Sequence, residues 1–186
     1  MAAPPITPRP KNQLAAHTPC PCGSGQTYVE CCGLWHAGLS EGRHAPTPEA
    51  LMRSRYSAYV LGLIDYLLAT WHPATAPGEL ELSPLKWLGL EVRHAEQSGD
   101  AGVVEFVARC RENGRAQRMH EISRFVREDG RWYYIDGQMP EQDLSDFVIP
   151  PLAVTRDAAV VIPDSIRVPC LVTVPRAAWI AGRGPQ

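Results

Sequence analysis

The segment Cys20–Gly33, CPCGSGQTYVECCG, decides how the start of the chain folds, because its chemistry can be assigned from the sequence. Its four cysteines follow the pattern C-x-C, eight residues, C-C. Thiolates are soft ligands, and four of them can close a tetrahedral shell around one Zn²⁺. This spacing requires sharp turns on both sides of the metal, which Pro21, Gly23 and Gly25 can supply. The segment therefore predicts a structural zinc site.

A short helix is expected in the second half of this segment. Ser24 is a candidate N-cap for a helix over residues 28–32, and Gly33 is a candidate stop. Neighbouring side chains on a helix point about 100° apart. Cys31 and Cys32 can therefore bind one metal only where the helix ends.

Two other uses of these cysteines are weaker. Disulfides would close strained rings in the C-x-C and C-C pairs, and nothing in the sequence indicates secretion. A redox-active dithiol usually has the pattern C-x-x-C beside a βαβ unit. His36 is an alternative metal ligand, but the cysteines already complete the shell, so we expect an exposed histidine.

The cysteine segment resembles the SEC-C motif, the short zinc-binding element at the C-terminus of the SecA translocation ATPase and in many small bacterial proteins. The resemblance lies in CPCGSG, Tyr28 and the following CCG. It implies that the ligands are Cys20, Cys22, Cys31 and Cys32, with Cys32 where SecA-type motifs carry histidine. The lysines common in the family between the second and third ligands are missing from this sequence, which weakens attraction to an acidic partner.

Composition and charge limit the classes of partner. The chain has 186 residues, enough for one domain with a sizeable core and a small appendage. Its formal net charge of -2 gives no global attraction to nucleic acid or anionic membranes, so no DNA partner is expected. The longest apolar run, residues 59–68, is too short to span a bilayer, and residues 1–13 lack the apolar core of a signal peptide. Together with the clustered thiols, these features predict a cytoplasmic protein.

The sequence divides into four parts. Residues 1–18 are rich in proline and predict a disordered leader, and residues 19–36 form the zinc-binding module. Residues 46–138 carry the patterns of an α+β domain. Residues 139–186 are again rich in proline and predict an irregular, partly ordered extension.

The α+β domain begins with helices and continues with strands. Thr47 is a predicted N-cap followed by proline, and apolar residues then recur at three- and four-residue intervals until Gly62 breaks or kinks the helix. Arg53 and Arg55 lie off this apolar face and are expected to be exposed. From residue 86 the period changes to two, and turn signals at residues 112–114 (ENG) and 128–130 (EDG) separate about four strands. This order predicts helices packed on a curved antiparallel sheet.

This domain resembles the YchJ family of uncharacterised bacterial proteins. The resemblance implies a zinc motif followed by a domain similar to nuclear transport factor two, in which a curved sheet wraps over helices as a cone. It covers residues 19 to about 138 and implies no biochemical activity. The segments that carry it are LMRSRYSAY (51–59), WHP (71–73), WLGL (87–90), HEISRF (120–125) and GRWYYIDG (130–137).

Two functional hypotheses follow, beside a third in which the zinc is purely structural and there is no partner at all. The first is a non-enzymatic zinc-binding adaptor whose module docks a ribosomal, secretory or chaperone protein. It rests on analogy with SecA, which uses its motif to engage the SecB chaperone or the ribosome. The second is a small-molecule-binding or enzymatic cone in which the zinc is purely structural.

The second hypothesis requires a pocket, which cones of this fold often enclose. His120 and Arg124 share one strand face at a spacing of four and could bind an anion, so the predicted pocket residues are His120, Arg124 and Asp136. An acid-base pair needs a geometric relation that a sequence does not display, so no catalytic residue is assigned. The wider set of candidates is Asp65, His72, His120, Glu121, Tyr134 and Asp136.

Overall fold

The structure, a computed structural model, describes residues 17–140, in which all helices precede all strands. Most of the predicted leader (1–18) and nearly all of the predicted extension (139–186) lie outside the described residues. Two 3-10 helices, at Tyr28–Glu30 and Leu39–Glu41, flank α1. The other elements are α1 Cys32–Gly38, α2 Pro48–Leu61, α3 Ile64–Ala69, β1 Lys86–Ser98, β2 Ala101–Glu112, β3 Arg115–Glu128 and β4 Arg131–Gln138.

The strands form one antiparallel sheet in the order β1-β2-β3-β4. The β2–β3 connection has positive φ at Asn113 (48°) and Gly114 (82°), and the β3–β4 connection has positive φ at Asp129 (49°) and Gly130 (77°). Positive φ at both central residues is typical of type I′ hairpin turns, whose twist matches that of the strands. The predicted turns and the predicted α+β class are therefore confirmed.

Helix α2 begins and ends as the sequence predicts, but its surroundings differ. The side chain of Thr47 accepts a hydrogen bond from the Ala50 amide at 3.1 Å, and Gly62 ends the helix with a φ of 71°. The prediction that Arg55 is exposed is wrong, because only 5% of this residue is accessible. Helices α1 and α3 and three of the strands pack around α2, so a residue off its apolar face can still be buried. No helix within residues 17–140 is both long and apolar enough to cross a membrane.

One hydrophobic core joins the sheet, α2 and the cysteine segment. Burial of such apolar surface contributes about 25 cal/mol per Å² to folding, so elements that share a core stabilise one another. The cysteine segment is thus packed into the core of the α+β domain. Core members include Cys20, Cys22, Tyr28, Cys32, Leu51, Met52, Tyr56, Phe106, Phe125 and Trp132.

Strand β1 departs from simple alternation at Leu88. The pairing with β2 shifts between Trp87 and Gly89, so Leu88 falls in a bulge and is 47% exposed. Trp87 packs inwards instead, with its ring centroid 5.4 Å from that of Tyr56. A bulge of this kind re-aims neighbouring side chains, and here it brings an indole ring to α2.

Candidate metal centre and internal cavity

Four cysteine sulfurs converge as the spacing predicts. The Sγ atoms of Cys20, Cys22, Cys31 and Cys32 all lie within 4.8 Å of one another, and all four are free thiols. Sγ of Cys31 is 3.6 Å from that of Cys22 and 3.9 Å from that of Cys32. In a tetrahedral site with Zn–S bonds of about 2.3 Å, neighbouring sulfurs are about 3.8 Å apart. The cluster therefore fits a metal ion such as Zn²⁺.

The backbone turns sharply beside the first pair of cysteines. Gly23 and Gly25 have φ angles of 73° and 81°, a region that residues with a side chain rarely adopt. The Cys20 amide donates a hydrogen bond to the Gln26 carbonyl at 2.9 Å, which closes the turn. The two glycines thus have the positive φ that the sequence analysis expects.

A helix begins, rather than ends, at the second pair of cysteines. The 3-10 helix stops at Glu30 and α1 starts at Cys32, with Cys31 between them at a φ of -123° and a ψ of -113°. This break lets two adjacent cysteines approach one point. Gly33 lies in the first turn of α1, where a Cβ atom would overlap the Tyr28 carbonyl oxygen. Gly33 is therefore needed for close packing and does not act as a helix stop.

Electrostatics make the cluster a site for a cation. A hydrogen bond with Cys22 lowers the pKa of the Cys20 thiol, whereas a hydrogen bond with Cys20 raises the pKa of Cys32. Burial raises the pKa of Cys31, and Ser24 Oγ, which lies 3.2 Å from its Sγ atom instead of capping a helix, opposes that shift. A bound divalent cation stabilises all the thiolates at once. Four protein ligands close a tetrahedral shell, so these residues suit a structural metal.

Polar contacts tie the cluster to α2. Arg53 Nη1 donates a hydrogen bond to the Cys22 carbonyl at 3.2 Å, and the same guanidinium pairs with Glu49. The Sγ atom of Cys20 lies 3.8 Å from Oγ of Ser57, which is fully buried. The cysteine cluster and α2 therefore position each other.

His36 belongs to this contact, and the expectation that it is exposed is wrong. Its Nε2 lies 2.9 Å from the Ser54 carbonyl and its Nδ1 lies 2.7 Å from the Tyr28 hydroxyl. A carbonyl oxygen only accepts, so Nε2 carries the proton and Nδ1 accepts from Tyr28. Burial lowers the pKa of His36, in keeping with this neutral form. His36 thus bridges the cysteine segment and α2 without being a metal ligand.

A cavity of about 40 Å³ lies between α2 and the sheet. Its polar lining comes from Arg55 on α2, Glu121 and Ser123 on β3, and the hydroxyls of Tyr59 and Tyr134. The rest of its wall is apolar. The main apolar contributors are Met52, Tyr56, Trp87, Phe106, Met119 and Phe125.

Arg55 is the buried cation of this cavity. Its Nη1 donates hydrogen bonds to the Leu67 carbonyl and to Oγ1 of Thr70, both at 2.8 Å. Its guanidinium carbon lies 5.0 Å from the centroid of Trp71 and 4.5 Å from that of Tyr134. Aromatic faces stabilise a desolvated cation, which explains how an arginine persists in this core.

Glu121 is the buried acid of the same cavity and is 4% exposed. Its Oε1 accepts hydrogen bonds from Ser123 at 2.6 Å and from Tyr134 at 3.2 Å. Burial raises the pKa of Glu121, and the two hydroxyl donors oppose that rise only in part. The carboxylate lies over Gly137, where a Cβ atom would overlap it.

The predicted pocket residues on β3 do not line this cavity. His120 and Arg124 alternate with Glu121 and Ser123 along the strand, so their side chains face the other side of the sheet. His120 Nε2 lies 2.7 Å from a carboxylate oxygen of Glu105. From the sequence, His120 and Arg124 are expected to bind an external anion. They contact carboxylates of the protein itself instead.

Asp136 also lies on the outer side, because of a bulge. Asp136 lies two residues after Tyr134, so simple alternation would place it on the same face of the strand, the one that lines the cavity. The β3–β4 register shifts between Arg124 and Phe125, so Phe125 pairs with Tyr134 while Arg124 pairs with Asp136. Arg124 Nε then donates a hydrogen bond to Asp136 at 2.7 Å. Simple alternation cannot reveal this change of face.

Of the wider set of candidates, the structure brings only Glu121 and Tyr134 to the cavity within the described residues. Asp65 is exposed, and His72 lies 3.2 Å from Glu128. The residue that the sequence analysis missed is Arg55. Its neighbours Ser54 and Ser57 are small and fully buried, and small residues on the polar side of a helix were the available signal that this side is packed as well.

Comparisons with known proteins agree with this architecture. A family model described as the YchJ middle NTF2-like domain matches residues 47–137, and a SEC-C motif model matches residues 18–34. A solution structure of a SEC-C motif protein from Rhodopseudomonas palustris is 38% identical with a TM-score of 0.56, covering 66% of this chain and 98% of its own. A crystal structure of another from Psychrobacter arcticus is 30% identical with a TM-score of 0.55, covering 66% and 83%. Fold and site together define a SEC-C motif protein with an NTF2-like domain.

Sequence relatives identify the family. A UPF0225 protein of Bordetella bronchiseptica is 53% identical over 132 residues, which cover 69% of this chain and 98% of the relative. A UPF0225 protein of Chromobacterium violaceum is 54% identical over 134 residues, which cover 68% and 97%. The chain belongs to the YchJ family, whose relatives carry the name UPF0225.

Proposed function

We propose that this protein is a non-enzymatic, zinc-binding adaptor of the cytoplasm, whose cysteine module holds a structural zinc ion and docks a protein partner. The observation that carries the zinc assignment is the convergence of four free thiols within 4.8 Å of one another. Reduced thiols at this spacing persist in a reducing compartment. Because the shell is complete, the metal offers no position to a substrate and its work is to hold the module in shape.

A surface of the module is available for docking. Val29 is the middle residue of the 3-10 helix Tyr28–Glu30, and it is 43% exposed. The loop formed by Ser24, Gly25 and Gln26 on the other side of Cys31 is exposed as well. An exposed, branched apolar side chain with polar groups beside it suits insertion into an apolar pocket of a protein partner. Glu30 beside it argues against a strongly acidic partner surface.

The partner class proposed is the ribosome or a secretory or chaperone protein, through analogy with SecA and not through any contact in this chain. The module offers mainly backbone polar groups and one apolar side chain, which is a protein-binding rather than a phosphate-binding composition. Zinc is required because without it the chain around Val29 loses the turn that presents this residue.

Two measurements test the proposal. Metal analysis of protein purified under reducing conditions should give one equivalent of zinc for the wild type and for Val29→Glu, and little for Cys31→Ser. Cosedimentation with purified ribosomes, and capture by purified secretory chaperone, should then be lost in Val29→Glu. The matched control is Met139→Glu, since Met139 is 44% exposed and Val29 is 43% exposed. A wild type that binds neither partner, or a Val29→Glu variant that binds as well as Met139→Glu, would overturn the docking role.

A further inference from the structure

The internal cavity holds a cation and an acid that do not neutralise each other. Arg55 is 5% exposed and Glu121 is 4% exposed, and both line the cavity. Within residues 17–140, no ion pair shorter than 4 Å joins them or joins Arg55 to any other carboxylate. A buried guanidinium that faces a cavity without a paired carboxylate is costly for stability, because it loses its hydration. This arrangement indicates that an anion belongs beside Arg55.

Arg55 offers the anion-binding half of the site. Its Nη1 donates hydrogen bonds to the Leu67 carbonyl and to Oγ1 of Thr70, and the Tyr59 hydroxyl is a further partner of the guanidinium. A guanidinium has five N–H donors in a planar fork, so donors remain for a ligand. Trp71 and Tyr134 hold the group at 5.0 Å and 4.5 Å from their ring centroids and fix its plane. Planar, two-oxygen anions match such a fork through paired hydrogen bonds.

Glu121 offers a second polar contact. Ser123 and Tyr134 both donate to Oε1 rather than to Oε2. Tyr134 connects the two halves, because its ring lies under Arg55 while its hydroxyl reaches Glu121. The groups that face the Glu121 carboxyl are Arg55 and Tyr59 from α2 and Tyr134 from β4, with Asp136 acting from the far side of the sheet. A protonated Oε2 can donate to an anion held by Arg55, which suits the raised pKa of this carboxyl.

The size and walls of the cavity restrict the ligand. The cavity offers about 40 Å³ to the centres of water molecules. One water needs about 10–15 Å³ of such volume, so about three waters fit. The walls beyond the polar groups are methionine and aromatic side chains, which favour an apolar tail over a second charge. A phosphate carries more negative charge and more oxygens than these donors can satisfy. The remaining ligand class is a short monocarboxylate.

We propose that the cavity is a binding site for a short-chain monocarboxylate anion, with the carboxylate on Arg55 and Glu121 and the carbon tail against Trp87, Phe106 and Phe125. The ligand completes the charge balance that the protein leaves open. This site is separate from the metal module, so it is independent of the docking proposed above. The ligand is identified by its chemical class, a short-chain monocarboxylate, and propionate serves as the probe.

The first test uses the wild-type protein, loaded with zinc. Titration with sodium propionate, followed by ¹H–¹³C spectra, should shift the methyls of Met52 and Met119 and the rings around Trp87 with saturation. Sodium chloride at the same ionic strength and 1-propanol, which has the same size without charge, should each give less than a tenth of the saturable shift. Equal responses to propionate and propanol, or shifts confined to outer-face residues such as Ile122, would show that no carboxylate site exists.

Variants then locate the anion. Arg55→Lys keeps a charge but loses the planar fork, and we expect it to weaken propionate binding at least tenfold. Glu121→Gln keeps an acceptor for Ser123 and Tyr134 and a donor towards the ligand, so binding should persist within threefold. The control is Arg124→Gln, which removes a guanidinium from the opposite face of the sheet and should leave the affinity unchanged. If Arg55→Lys does not fold, the wild-type spectra decide the question by themselves, and unchanged affinity in a folded Arg55→Lys variant would contradict the assignment.

Discussion

The guanidinium carbon of Arg55 lies 4.5 Å from the ring centroid of Tyr134, whose hydroxyl donates to Glu121. This relationship joins helix α2 to strands β3 and β4 through one aromatic side chain. Burial, followed by the charge of Glu121, raises the pKa of Tyr134, and Arg55 opposes that rise in part. Tyr134 is consequently a neutral hydrogen-bond donor at any physiological pH, and its role in the cavity is to position the two charged groups.

A first prediction concerns the glycine beneath the acid. Gly137→Ala should destabilise the protein by about 1–3 kcal/mol, because the new methyl group overlaps the Glu121 carboxylate and forces it from its hydroxyl donors. Gly89→Ala is the matched control in a strand, since a Cβ atom at position 89 meets nothing within 4 Å. Urea unfolding at pH 7 measures both. Equal stability of the two variants would mean that Glu121 is not held over Gly137.

A second prediction concerns the pH dependence contributed by Glu121. Its pKa is raised in the folded state by burial, so the folded protein binds this proton more tightly than the unfolded chain does. The contribution to stability is therefore largest below the ordinary glutamate pKa of about 4.3 and is lost as pH rises through the folded pKa. Glu121→Gln does not titrate, so the variant should gain stability relative to wild type as pH rises from 4 to 7.

The control for that comparison is Glu96→Gln on the surface. The side chain of Glu96 is 69% exposed, so its substitution should change stability little. Because both variants keep the cysteine cluster, any loss of metal at low pH affects them equally. A constant difference between Glu121→Gln and wild type across this range would show that the buried carboxyl titrates as an exposed one does.

Much of the fold follows from local signals. The N-cap at Thr47, the stop at Gly62 and the turns at Asn113-Gly114 and Asp129-Gly130 each depend on one or two residues with strong backbone preferences, and the structure has all of them. The cysteine cluster follows in the same way, since the four cysteines are close in sequence and glycines that permit sharp turns lie between them. Such features need no knowledge of the rest of the chain.

The cavity could not be found in this way. Arg55 is buried because elements distant in sequence cover the polar side of α2. The periodicity of the sequence describes only the helix itself and does not reveal these elements. Asp136 changes face at a bulge, which no two-residue period predicts. The residues expected to line a pocket, His120, Arg124 and Asp136, lie on strands beside the cavity but on the opposite face of the sheet. Glu121, the neighbour of His120, shows how a shift of one residue moves a site across a sheet.

A third prediction tests the bridge made by His36. His36→Ala should destabilise the protein by about 2 kcal/mol, since it leaves the Tyr28 hydroxyl and the Ser54 carbonyl without their partner. His94→Ala is the control, because the side chain of His94 is 60% exposed and contacts only Glu96 at 3.6 Å. Thermal unfolding at pH 7.5 compares the two variants. A His36→Ala variant as stable as His94→Ala would mean that the bridge contributes nothing.

The last prediction concerns removal of the metal. The cysteine segment should lose its structure on chelation, because ligation in small zinc modules supplies about 10–16 kcal/mol of apparent binding free energy. Much of the shared core lies between α2 and the sheet, at Leu51, Phe106 and Trp132, so the sheet should remain folded. However, Cys20, Cys22 and Cys32 share that core with Leu51 and Met52, so α2 loses packing on one side. We therefore expect a lower melting temperature of the whole domain after chelation, with faster amide exchange along α2 than along β2 and β3.

The matched control for metal removal is the Cys31→Ser variant, which lacks one ligand whether or not a chelator is present. Its melting temperature should already be lowered, and chelator should change it little further. Cys31 is the most accessible of the four ligands, so serine at this position disturbs packing least. A domain whose melting temperature and α2 exchange are the same with and without metal would show that the module is independent of the core. That result would contradict the shared packing of Cys20 and Cys32 with α2.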